Sequence, residues 1–427
     1  MDEPGDEGET AMAQAGGVQR DGIQGGEKTP PPRASTSRPS LPKRAIVARV
    51  ALALLFALGV YLTLVPQGRA VTRAALLLPA LITLKQPAPL VAAGDPVRHT
   101  QAQIPGESGP IYLDIYAPTG PPPPIPSARQ GVVIISGVGD NRGVDQLINL
   151  CTSMARAGLV AVTMTTDSLI DYDLTPADGD AVVRTVLYTQ HLPGVGPSRV
   201  GILGFSAGGA LASLAAADPR DRDSLAFITL FGGYYDASTL LADYGRRGYI
   251  VDGQTVHWEP NIVPLVVLAN SIADTLPGDQ AETLRSAFTL NGFTPLTSAQ
   301  LASLSPPGAS AYHLLAGDQP NQVEANVTAL LAAPDTHALL DALSPARVLS
   351  RIAAPIYLLH DRNDQFIPFT QSRTFNAALD ALHHPHTYAE FGIFAHVEVK
   401  SNVGGLQLLG DGATLFRLLT SMLAPST

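Results

Sequence analysis

Cysteine is almost missing from this chain. Cys151 is the only one in 427 residues, so no disulfide can form within the molecule. It falls in a helix-like stretch, 144–157, with no base or tight turn arranged around it, which suits a small buried apolar side chain better than a nucleophile. Charge is scarce as well: charged residues make up 15% of the chain, and the formal net charge is −10 with no basic patch to offset it. General affinity for nucleic acid is thereby excluded, because phosphates are held by clustered Lys and Arg. The cluster His383, His384 and His386 reads as a solvated connection between elements and not as a metal site. No metal or organic cofactor is implied, and no internal repeat is visible. What the chain does have is apolar mass. At 45% hydrophobic residues it can bury a large core.

The front of the chain changes character three times. Residues 1–42 are rich in Gly, Pro, Ser and Thr with few large apolar side chains, so a disordered tail is expected there. Residues 43–66 follow as an apolar run broken only by Arg49 after Lys43 and Arg44, long enough to cross a bilayer as a helix. The long preceding tail and the lack of an A-x-A site favour an uncleaved signal anchor over a cleaved signal peptide. The flanking Lys43 and Arg44 imply a single pass, with the N-terminus cytoplasmic and the catalytic domain extracytoplasmic. Residues 67–100 hold a second apolar stretch, too short between Arg73 and Lys85 to span and interrupted by Pro79. An interfacial or packing helix with a linker fits that segment.

The most informative stretch lies further on, at Gly204-Phe205-Ser206-Ala207-Gly208. It sits between a strand-like run and a helix of small residues, and it fits the G-x-S-x-G nucleophile elbow. A serine at the apex of a tight strand-to-helix turn needs neighbours without bulk, and Gly204 and Gly208 provide them. An acid and a histidine should then follow in that order. The apolar run 355–360 reads as a strand ending in Asp361-Arg362-Asn363-Asp364, which makes Asp364 the expected acid, with Asp361 as the alternative. His396 follows in a loop after the last strand and before a terminal helix.

These residues resemble those of α/β-hydrolases of the esterase/lipase and dienelactone-hydrolase-like group, over roughly residues 111–423. Ile111 to Pro118 is similar to an early strand of those esterases, Gln130 to Gly139 to the strand and loop that supply the oxyanion hole, and His360 to Asp364 to the H-G-x-x-D acid loop. Ser136 stands where many members have His before Gly, and Asp361 replaces the glycine of the acid loop. The resemblance implies an α/β fold, with a mostly parallel sheet covered by helices on both faces, over residues 101–427. The intervening segment 237–350 is helix-prone with Pro and Gly breaks, and is expected to be an inserted helical lid.

The implied chemistry is acyl transfer to water. Ser206 would be the nucleophile, His396 the base and Asp364 its orienting acid, with the backbone N–H groups of Ala207 and Val138 as the oxyanion hole. The expected substrate is a small ester or lipid-like molecule, and the expected membrane contact is through the N-terminal helix. A serine peptidase or an acyltransferase would use the same triad, and a non-catalytic binding protein could use the same fold.

Overall fold

A computed structural model describes residues 43–83, 85–121, 128–400 and 403–424; the expected tail 1–42 and most of the Pro-rich loop 120–126 lie outside them. Helix α1 (Lys43–Leu64) is long and apolar enough over Val47–Leu64 to cross a membrane, by length and composition. Large side chains on every side of it, among them Leu52, Leu54, Leu55 and Phe56, are exposed, while Leu62 is half-buried. Among the described residues, those up to Phe56 and those from Ala57 onward fall into separate units.

Helix α2 (Pro66–Thr83) buries a stripe of small residues, Gly68, Ala70 and Ala74, with Leu77 and Ala80. Ala70, Ala74 and Leu77 share a cluster with Leu147, Cys151 and Leu419, so α2 packs on the sheet-bearing part of the chain. A short helix, α3 (Ala88–Ala93), leads to the sheet.

Eight strands form one sheet: β1 (Val97–Pro105), β2 (Pro110–Pro118), β3 (Arg129–Ile135), β4 (Val160–Thr166), β5 (Val195–Phe205), β6 (Leu225–Phe231), β11 (Ile356–Asp361) and β12 (His386–Phe391). Their spatial order is β1-β2-β4-β3-β5-β6-β11-β12, with β1 and β2 antiparallel to their neighbours and the rest parallel. The sheet begins at Val97, inside the segment expected to be linker. The central strands are buried on both faces, as parallel sheets require. On β3, Val133 and Ile135 join the core on one side while Val132 and Ile134 join the other. Helices α6 (Pro176–Gln190) and α7 (Ala207–Ala216) cover the first side; α4 (Asp145–Arg156) and α16 (Gly405–Leu423) cover the second.

Between β6 and β11 lies the insertion. It carries helices α8 (Ala237–Arg246), α9 (Ile262–Ala273), α10 (Gly278–Ala287), α11 (Ser298–Ser303), α12 (Pro306–Ala316), α13 (Val323–Leu331) and α14 (Pro334–Ala342). Two hairpins interrupt them: β7 (Gly248–Val251) with β8 (Gln254–His257), and β9 (Phe288–Thr289) with β10 (Gly292–Phe293). The first turns at Asp252 and Gly253, both with positive φ, a D-G hairpin turn within the insertion expected to be helical with Pro and Gly breaks. Leu241, Leu268 and Leu314 of the insertion join the same core as the sheet face under α6 and α7.

Candidate active site

Strand β5 runs between β3 and β6 and delivers Ser206 at its end. Ser206 has φ 54° and ψ −128°, a region that side-chain-bearing residues rarely adopt. Its N–H donates to Phe231 O at 2.9 Å, and its own carbonyl accepts from Gly209 N at 2.9 Å. A Cβ on Gly208 would lie 2.6 Å from Ile135 O, and one on Gly204 would strike the Gly208 backbone. Both glycines are therefore demanded by the close crossing of α7 over the strand ends. The turn holds the serine half-buried at the first turn of α7, where the positive end of the helix dipole points.

The residues expected as acid and base come from two other places. Asp364 lies in the loop after β11, with its Oδ1 accepting from Phe366 N (2.7 Å) and Ile367 N (3.0 Å). Its Oδ2 accepts from His396 Nδ1 at 2.6 Å. Because a carboxylate can only accept, the proton sits on Nδ1 and Nε2 is left as the basic nitrogen. His396 itself has φ 59° at the tip of a small hairpin, β13 (Phe394–Ala395) with β14 (Glu398–Val399). Phe366 stacks on its ring at 4.4 Å between centroids.

A second histidine reaches the same carboxylate. His360 Nε2 lies 3.0 Å from Ile367 O and 3.3 Å from Asp364 Oδ2, while Nδ1 lies 2.7 Å from Ser372 Oγ. Two acceptors at Nε2 place the His360 proton there. Burial alone would raise the Asp364 carboxyl, but the charge of His396 and the hydrogen bonds from His360 and His396 outweigh it, holding Asp364 well below the usual carboxylate range. Asp361, the alternative acid, is fully buried 3.6 Å from Lys400 Nζ, and neither of its oxygens has a hydrogen-bond partner among the described residues. Burial raises its carboxyl. The carboxylate bonded to His396 is Asp364.

Residues 231–233 lie between the serine and the acid–base pair. Phe231 O holds the Ser206 N–H, and a Cβ on Gly232 would lie 3.2 Å from His396 Nδ1 and 3.3 Å from Asp364 Oδ2. No hydrogen bond joins Ser206 Oγ to His396 among the described residues. On the other side of the serine, the β3 loop approaches closely enough that a Cβ on Gly137 would lie 3.4 Å from Ser206 Cβ. Gly139 N–H is committed to Leu169 O at 2.7 Å, which removes it as an oxyanion donor. Asn141 Nδ2 donates to Val138 O at 2.9 Å and fixes the loop. The first N–H of α7, that of Ala207, makes no backbone hydrogen bond among the described residues, nor does that of Val138.

Sequence reasoning missed the outer supports. Trp258, the only tryptophan, donates through Nε1 to Asp364 O at 2.7 Å and stacks on Tyr244, whose hydroxyl donates to Phe366 O at 2.8 Å. Asn261 N donates to Gln365 O at 2.7 Å. The insertion thus grips the acid loop by its backbone. A lone tryptophan followed by a helix start was the available signal; nothing nearby in sequence linked it to a loop a hundred residues later.

An apolar cavity of about 230 Å³ lies on the α4 and α16 side of the sheet. Ser136, Phe205, Phe394 and Val397 line it, while Ser206, Asp364 and His396 do not. None of its lining residues belongs to the insertion.

No family model matches the chain, and no curated protein matches it in sequence. Solved structures do. A puromycin-hydrolyzing peptidase of Mycobacterium tuberculosis aligns with 77% of this chain and 38% of its own, at 18% identity and a TM-score of 0.43. An acylaminoacyl peptidase of Pyrococcus horikoshii aligns with 77% of this chain and 41% of its own, at 14% identity and a TM-score of 0.42. Esterase B of Lactobacillus rhamnosis aligns with 78% of this chain and 91% of its own, at 15% identity and a TM-score of 0.43. This chain therefore spans about two fifths of the length of the peptidases it matches. By its own strand order, with an antiparallel β2, helices on both faces and a serine at the β5–α7 turn, the chain has the α/β-hydrolase fold.

Proposed function

We propose that the protein is a serine hydrolase cleaving carboxylic esters. The observation that carries this reading is the 2.6 Å hydrogen bond between Asp364 and His396 Nδ1, made across Gly232 from the elbow serine. In the reaction, Ser206 Oγ attacks the ester carbonyl carbon while His396 Nε2 takes its proton. The tetrahedral oxyanion is met by the N–H groups of Ala207 and Val138. His396 then returns the proton to the leaving alkoxide, and the acyl-enzyme forms. Water, deprotonated by the same nitrogen, releases the acid. Asp364 stays ionised throughout and stabilises the imidazolium, as its depressed carboxyl requires.

An ester is favoured because the cavity lined by Phe205, the residue before the serine, carries a single charged lining residue, Glu398, and so offers little to a charged peptide terminus. The acid-loop sequence supports assignment to the esterase and dienelactone-hydrolase-like group. We assign α1 as a membrane anchor with the catalytic part outside the cytoplasm; protease treatment of intact cells should then digest the catalytic part and spare the Met1 tail. The catalytic reading is tested by turnover of p-nitrophenyl butyrate. Wild type should hydrolyse it, and Ser206→Ala and His396→Ala should each lose nearly all of that rate. Full turnover in Ser206→Ala would end the assignment.

A further inference from the structure

We propose that Asp361 and Lys400 are a positioning pair for His396, holding its main chain and its hairpin while Asp364 holds its ring. The proposal rests on the serine-hydrolase reading above and adds the support of the base to it.

Three observations carry it. First, the segment that presents the base is too slight to hold itself. The β13–β14 hairpin pairs Phe394 with Val399 and Ala395 with Glu398, and a two-stranded ribbon of that size is not stable alone. His396 at its tip has φ 59°, a conformation that a side-chain-bearing residue keeps only where its surroundings over-determine it. Its N–H makes no backbone hydrogen bond among the described residues.

Second, Lys400 closes the open end of that hairpin. Its N–H donates to Ile393 O at 2.9 Å, and its Nζ donates to Gly392 O at 3.0 Å. The same ammonium lies 3.6 Å from Asp361 Oδ1. Gly392 is tied in turn to α16, because its N–H donates to Asp411 Oδ2 at 2.9 Å. One side chain therefore joins both ends of the hairpin to the end of β11.

Third, Asp361 is a fully buried carboxylate whose oxygens make no hydrogen bond among the described residues. Such a group is costly unless neighbouring charge and donors hold it. Burial raises its carboxyl, while the Asn363 N–H, the charge of Lys400 and the His396 N–H pull it back. The carboxylate that lacks a donor and the main-chain donor that lacks an acceptor thus face each other. The stretch from Asp361 to Asp364 meets the base twice, at its main chain and at Nδ1. Asp361 stands where the esterase acid loop carries glycine, so this support is a feature of this chain's own sequence.

The test uses the full chain in bilayer nanodiscs, with p-nitrophenyl butyrate turnover, fluorophosphonate labelling and melting temperature measured for each variant. Lys400→Met removes the ammonium and leaves the backbone bond to Ile393. Because a small misplacement of a catalytic group costs up to about a hundredfold, kcat should fall by roughly ten- to a hundredfold. KM should stay within about twofold, since neither residue binds the ester. Labelling of Ser206 should slow by the same factor as kcat. Lys400→Arg keeps the charge and should restore most of the rate. Asp361→Asn, nearly the same shape, should lose a similar factor, and decides the question should Lys400→Met not fold. Combining the two should cost little more than either alone, as for groups that act together. Val186→Ala truncates a different core cluster, in α6, and should lower the melting temperature with kcat unchanged. Wild-type kcat in both Lys400→Met and Asp361→Asn overturns the pair and leaves the hydrolase standing. So does a loss confined to KM, or one that Lys400→Arg shares in full. Failure of the folded wild type to label or turn over the ester overturns both.

Discussion

The proposed nucleophile and the proposed acid–base pair are held in place by different means. Ser206 is set by backbone: a strand end, a helix start, two glycines that admit close contact, and one N–H to Phe231 O. Asp364 and His396 are set largely by side chains: Trp258 and Tyr244 reach the acid loop from the insertion, and His360 reaches the acid from the end of β11. The elbow is therefore local and rigid. The acid–base side depends on an insertion more than a hundred residues long remaining folded against it. Damage to the first should act on packing, and damage to the second on the alignment of a proton acceptor.

Four substitutions sharpen that contrast. The largest effect is expected from Asp364→Asn, which offers His396 Nδ1 the wrong partner and lets the ring adopt the wrong tautomer. The expected loss is on the order of 10⁴-fold in kcat, with the melting temperature nearly kept. Pre-steady-state acylation would show it. Gly208→Ala is next, because the new methyl meets Ile135 O at 2.6 Å. A destabilisation of about 1–3 kcal/mol should appear in chemical denaturation, together with loss of activity. Trp258→Phe keeps the ring against Tyr244 but removes one hydrogen bond to the acid loop. That should cost about 1 kcal/mol, or five- to tenfold, and appear in kcat more than KM because the loop orients the base and does not bind the ester. An equal loss in a variant that leaves the acid loop untouched would blur the comparison.

The smallest effect lies outside both regions. Asp221 is buried with no partner for either oxygen among the described residues, and burial pushes its carboxyl up to about 7. The folded chain therefore binds this proton more tightly than the unfolded chain, whose carboxyl titrates near ~3.9. Stability from this group is full below the unfolded value and is lost as pH rises towards the folded one. Asp221→Asn should raise the melting temperature by a few degrees at pH 8 and by little at pH 4, with esterase turnover unchanged.

The same contrast explains what the sequence revealed. The elbow was legible because five consecutive residues and their flanking strand and helix carry its pattern, although Phe231 O and Ile135 O from neighbouring strands complete its packing. Asp364 and His396 could be ordered along the chain, and the acid-loop spacing favoured Asp364 over Asp361, but only the 2.6 Å contact to His396 shows which carboxylate meets the imidazole. The parallel strands were readable as apolar runs. Strand β1 was not, since its exposed Arg98, His99 and Gln101 look like linker and become a strand only by pairing with β2. The β7–β8 hairpin was hidden for a related reason: four-residue strands carry too little pattern to stand out within helix-prone surroundings.

The most direct measurement is the mass of the intact chain after reaction with a fluorophosphonate, followed by peptide mapping. The account predicts one adduct, on Ser206, whose formation slows sharply in His396→Ala and in Asp364→Asn. A folded chain that takes up no label, or one labelled at another residue with Ser206 free, would contradict it.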